Sequence, residues 1–215
     1  MDSVIDRVTI INWALADLGA SPVMSIDDGS DQAGTVAQCW QRCVDHCFSL
    51  HDWHDFRKSY RLERSPDRPF NGWAFEHFLP GVRIGGALKV MRANSTEPVR
   101  DFDREGASIF SNHDDLWVRL KVFSDPQHWE PGFRAAFTVA LAAYLAVPIR
   151  SSTDMRDTLM AQAFGTPSRE GTGGMFGRLI AQDRAAAPIG RPIANAEPVL
   201  GDRTGSRPAP WHGGF

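Results

Sequence analysis

Residues 131–149 read PGFRAAFTVALAAYLAVPI, and this run decides the fold. Phe133, Phe137, Ala140, Leu141, Tyr144 and Leu145 recur every three or four residues, the spacing of one helix face. Alanine, the best helix former, fills most of the other positions. Pro131 suits the first helical position, where its missing N–H is unpaired anyway. Pro148 predicts a stop or kink near Val147. Arg134 is the one charge between the prolines, so the helix is expected to be buried on most sides. At this length it is too short for a bilayer, which takes about 20 apolar residues.

Outward from this helix, the composition sets the frame. The 215 residues are 42% hydrophobic, enough for one core, or for one domain carrying an insertion. The net charge of −3 argues against a protein that coats nucleic acid. The three cysteines fall within nine residues, which predicts free thiols in a reducing compartment rather than a disulfide framework. No secretory signal and no membrane span are expected.

Upstream, residues 3–18 predict a first helix with Val4, Ile5, Val8, Ile11, Leu15 and Leu18 on one face, Ser3 as cap and Gly19 as stop. Asp27-Asp28-Gly29 predicts a turn, with Asp28 or Ser30 capping a second helix that runs to about Leu50. Its apolar stripe is Val36, Cys39, Trp40, Cys43, Val44, Cys47 and Phe48. From Ser59 to Phe123 the pattern alternates instead. Strand positions are expected at Phe75/Phe78, Leu88/Val90, Val99, Phe102 and Leu116/Val118/Leu120/Val122, forming one small antiparallel sheet. Downstream, residues 151–165 predict a shorter helix with Met155, Leu159, Met160 and Ala163 inward. After a loop over 166–174, residues 177–187 resume helix with Leu179 and Ile180 inward. The fold class expected is therefore α+β, mainly α. A helical bundle (1–57 and 126–187) carries a β insertion (58–125) and an extended C-terminal tail (188–215).

That tail holds five prolines and five glycines, so it cannot build a core of its own. Its spread apolar and basic residues favour a docking segment over a disordered tail with no role. The expected partner-binding residues are Ile189, Arg191, Ile193, Arg203, Arg207, Trp211 and Phe215.

Catalytic signatures are missing: there is no phosphate loop, no dinucleotide fingerprint, no His-Glu-x-x-His, and Gly106-Ala-Ser108-Ile-Phe110 lacks the closing glycine of a nucleophile elbow. Cys39, Cys43 and Cys47 with His46, His51 and His54 define a metal-enzyme alternative. The cysteines interleave with Val36, Trp40, Val44 and Phe48, however, as small buried hydrophobes do. His51, Asp52, His54 and Asp55 are the residues available for acid–base work. Arg57, Lys58, Arg61 and Arg64 define a DNA-binding alternative, against the reading that they are a strand's solvated face.

The order of parts resembles the head-to-tail adaptor of short-tailed phages, also called tail tubular protein A. The resemblance rests on Ala14-Leu-Ala-Asp-Leu-Gly-Ala-Ser-Pro-Val23, Ser25-Ile-Asp-Asp28, Leu50-His-Asp-Trp-His-Asp-Phe56, Phe78-Leu-Pro80, Trp129-Glu-Pro-Gly-Phe133 and Leu145-Ala-Val-Pro148. It covers about residues 3–187. It implies a structural virion protein, not an enzyme, with no cofactor or metal. Such adaptors form a ring, commonly of twelve copies, at the head–tail junction, after assembly in the host cytoplasm. Their partners are further copies of themselves, the portal protein, and the tail nozzle or tail-fibre proteins. DNA passes through the channel without specific binding, and no membrane is involved.

Overall fold

The run around Phe137 forms one helix, α3 (Pro131–Arg150), in a computed structural model that describes residues 5–26, 31–93, 95, 97–166 and 173–186. One sequence expectation fails here, and of the stop or kink expected at Pro148 the stop does not occur. The helix reaches 20 residues with a hydropathy of 1.6, which matches a membrane span in length and composition. Its apolar character has another outlet: α1 (Arg7–Asp17), α2 (Asp31–Ser49), α4 (Thr153–Phe164) and α5 (Gly174–Ala186) all pack against it. Nor does the helix stop at Val147. Pro148 lies inside it, and the chain leaves only at Ser151, in the left-handed region at φ 51°. Proline removes the N–H that would bond the carbonyl four residues back, at Tyr144. The Cys39 thiol, across the interface on α2, donates to that Tyr144 oxygen at 3.6 Å. A tertiary contact thus occupies the acceptor that the proline leaves open.

Other helix boundaries move for local reasons. α1 begins at Arg7, because Asp6 caps it. The Asp6 carboxylate accepts from the Thr9 N–H at 2.8 Å and the Thr9 hydroxyl at 2.6 Å. Ile5 therefore precedes the helix, while Ser3, Val4 and the expected caps Asp28 and Ser30 lie outside the described residues. Ser152 caps α4 by accepting from the Met155 N–H at 3.2 Å. α5 starts at Gly174, earlier than expected, and so brings Phe176 into the core as well as Ile180.

The expected single sheet is corrected to two antiparallel sheets. The described residues are about 48% helical and 22% strand, which makes this a mixed α/β protein. The first sheet has the order β1-β7-β4, from β1 (Arg57–Arg61), β4 (Arg83–Arg92) and β7 (Leu116–Val122). The second has the order β2-β3-β6-β5, from β2 (Glu63–Arg64), β3 (Phe75–Phe78), β5 (Phe102–Glu105) and β6 (Ser108–Ser111). Leu62 is the hinge between them. Its N–H donates to Leu116 O at 2.8 Å, and its side chain enters a small core shared by both sheets with Leu79, Val90, Ile109 and Leu116. The β2 and β5 strands carry mainly exposed polar residues, so they give no alternating signal. Val99 lies outside the strands, though its N–H donates to Val90 O at 2.8 Å. The four aliphatics of β7 are all buried, as expected.

The helical core is largely aromatic. Phe133 stands at its centre, with ring centroids 5.5 Å from Phe48, 5.3 Å from Trp53, 5.0 Å from Phe56, 5.2 Å from Trp129 and 5.7 Å from Phe176. One helix position therefore ties α3 to α2, to α5 and to the segments where the chain enters and leaves the β region.

Candidate functional site

The expected tail residues Ile189, Arg191, Ile193, Arg203, Arg207, Trp211 and Phe215 lie outside the described residues. The remaining sequence candidates fall into three groups.

The first is the cysteine ladder. Cys39, Cys43 and Cys47 face the core from α2, and Cys43 and Cys47 Sγ are 3.7 Å apart. Burial pushes the Cys39 and Cys43 thiols up, away from the thiolate form that binds metal. His46 does not join them. Its ring stacks on Phe164 at 4.4 Å, and its Nδ1 shares a 2.9 Å hydrogen bond with the Tyr144 hydroxyl. Burial also pushes Tyr144 up to about 12, so that hydroxyl keeps its proton. Among the described residues no group of three His, Cys, Asp or Glu is placed to hold a metal ion.

The second is the helix end at 51–55, which the fold makes into a junction. Asp183, on α5, receives the Nε2–H of His51 at 2.8 Å and the Nδ1–H of His54 at 2.7 Å, both on Oδ2. The His54 backbone N–H donates to Oδ1 at 3.2 Å. Burial pushes the Asp183 carboxyl up, but these hydrogen bonds outweigh it and hold it below its ordinary value. From the β side, Lys121 extends its Nζ to His51 O at 2.9 Å and to Asp52 Oδ1 at 3.4 Å. The alternation of β7 predicts a solvated Lys121. Instead it is 6% exposed, because these two acceptors pull its ammonium into the junction. An open pocket of about 370 Å³ adjoins the junction, floored by Trp53, Phe133 and Leu179 and rimmed by His54, Glu130 and Asp183. No hydroxyl or thiol side chain lines it among the described residues. The arrangement fastens α5 and β7 to the end of α2. Asp183 carries no sequence motif; a carboxylate on the polar side of a helix looks like any other solvated acid.

The third is the basic strand. Arg57 donates to Asp52 O at 2.6 Å, Arg61 pairs with Asp115 at 2.9 Å, and Arg64 lies 5.2 Å above the Phe75 ring. Three of the four cations are thus engaged locally. A duplex would have to compete with those contacts, and only Lys58 adds an exposed charge beyond them.

The half-buried His46 and the buried His77 give the protein a pH signature. Burial pushes His46 down. It also pushes His77 down, against the opposing hydrogen bond that its Nε2–H donates to His113 O at 2.9 Å. For both groups the folded value lies below the unfolded one, about 6.5. Their stabilising contribution is complete above that pH and is lost as the pH falls through the folded values. Asp183 follows the same sign further down: its contribution is complete above about 3.9 and is lost on acidification below that. Urea midpoints at about pH 7.5, 5.5 and 3.5 should therefore fall in two stages. A His77→Gln variant, which keeps the donor, should show a smaller first stage. A midpoint unchanged between the two higher values would contradict this account.

Comparison with known proteins finds no family model that matches the chain and no curated protein similar to it.

Proposed function

We propose that this chain is a head-to-tail adaptor of a short-tailed phage: a structural virion protein, not an enzyme, that forms a ring of about twelve copies between portal and tail, the number usual in that family. In this reading the helices of 1–57 and 126–187 form a bundle that builds the ring. The β region of 58–125 faces the tail nozzle or tail-fibre proteins. The segment 188–215 docks on a neighbouring copy or on the portal. DNA passes through the channel without specific contacts, and the protein works at the head–tail junction after assembly in the host cytoplasm.

One observation carries the reading. The whole β region is inserted between α2 and α3 and begins and ends at one junction, pinned by Lys121 and floored by Phe56 and Trp129. That is the order of parts the sequence resemblance implies: two helices, an antiparallel insertion, then the long alanine-rich helix and its followers. A subunit so divided suits an adaptor, since one part can pack side by side in a ring while the other presents a separate surface. The engaged arginines of β1 and β2 also favour it over a DNA-binding module.

The test is reconstitution with portal-bearing capsids. Purified protein should add a ring visible by negative stain, with a mass corresponding to several copies. A protein lacking residues 188–215 should lose most of that attachment, because many weak tail contacts act together around a ring. A chain that stays monomeric and ignores capsids sinks the adaptor reading. A truncated chain that attaches as well as the full one removes only the docking role of the tail.

A further inference from the structure

Two surface features lie outside the junction. The first is the loop between β2 and β3. Phe70 is 99% exposed there, an unusual state for a phenyl ring. Pro66 and Pro69 limit the backbone around it. Asp67 and Arg68 precede it in the loop, both exposed and neither in an ion pair among the described residues.

The second is a groove of about 430 Å³ on the helical side, where α1, α3 and α5 meet. Its walls include Ile5, Trp13, Ala135, Val139 and Met175, and Trp13 is 43% exposed. Asp17 and Arg134 sit at its edge, again without an ion-pair partner among the described residues. Walls of indole and aliphatic side chains accept an aromatic ring.

We infer that Phe70 of one copy docks in the Trp13–Val139 groove of the next. Arg68 then meets Asp17, and Asp67 meets Arg134. The occupant is a second copy because the chain itself carries the complementary set: one protruding aromatic, one apolar groove, and two unpaired charges of opposite sign on each. Phe70 cannot reach the groove of its own subunit while 99% exposed. Loop and groove are different surfaces, so the contact is head-to-tail, and repetition closes a ring when the rotation permits. A rigid loop loses little freedom on docking, and one buried aromatic supplies a large share of interface energy. This inference rests on the ring-forming reading above, and adds to the helical packing of that ring a contact from the β region of one copy to the helices of the next.

The test is self-association of the full chain by sedimentation velocity, alone and on portal-bearing capsids. Phe70→Ser should raise the concentration needed for assembly by roughly tenfold or more. Its melting curve should be unchanged, because the ring touches nothing in the subunit. Arg68→Asp and Asp17→Arg should each weaken assembly, and the two together should recover most of it. A photo-crosslinker at position 139 should capture residues 65–72 of another copy. Normal assembly of Phe70→Ser, a crosslink to residues 187–215, or a crosslink to another protein would overturn the inference and leave the adaptor reading standing. Failure of the wild-type chain to associate in either setting would overturn both.

Discussion

Replacing Phe133 with alanine is expected to cost about 3–5 kcal/mol, the range for removing a buried aromatic from a packed core. The upper half of that range applies here. The ring is in edge or stacked contact with Phe48, Trp53, Phe56, Trp129, Phe137 and Phe176, so its neighbours come from several elements and cannot all collapse into one hole. For a chain of this size the loss corresponds to a fall in Tm of roughly 10 °C. Phe133→Leu should recover a good part of it by refilling volume without the ring contacts. The measurement is urea unfolding followed by tryptophan fluorescence, since Trp53 and Trp129 report directly on the site. A loss below about 1 kcal/mol would mean that Phe133 is not the centre of this core.

Gly174→Ala should be nearly as damaging, for a reason of backbone rather than volume. Gly174 has φ 62°, and a Cβ there would stand 2.6 Å from both Ala163 O and Gln162 O. Those carbonyls belong to the last turn of α4 and cannot swing aside as a flexible side chain would. Left-handed strain and the clash together should cost roughly 2–4 kcal/mol. The effect should also be local. α5 would lift from α4, and Phe176, stacked on Phe164 at 5.2 Å, would lose its seat. The contacts of Asp183 with His51 and His54 would weaken with it. Hydrogen exchange should therefore accelerate across 174–186 before it does across α3. Uniform exchange with an unchanged unfolding midpoint would show that α5 is held by other means.

The candidate junction was legible in the sequence only in part. His51, Asp52, His54 and Asp55 stand out as a polar cluster at a helix end, but nothing in their spacing names a partner. That partner, Asp183, is more than 120 residues away along the chain. The same holds for Lys121, whose place in the β7 alternation points to solvent. Its burial follows from two acceptors on another element, which no period-two pattern encodes. Phe70 stands in a Pro-rich turn, where an aromatic draws no special notice until its exposure is seen.

Periodicity by itself determined α3, the α2 stripe from Val36 to Phe48 and the β7 core positions. In each case the apolar repeat is local and long enough to identify its own element. Local chemistry also settled some boundaries, such as the Gly19 stop after α1. Tertiary structure decided the rest. It let α3 run through Pro148, because a cysteine on α2 supplies a donor for Tyr144 O. It divided one expected sheet into two, because Leu62 turns inward between strands too short and too polar to announce themselves. It also joined His51 and His54 to Asp183. The physical reason is the same each time: a hydrogen-bond partner or core neighbour supplied by a distant element overrides what a residue's immediate neighbours prefer.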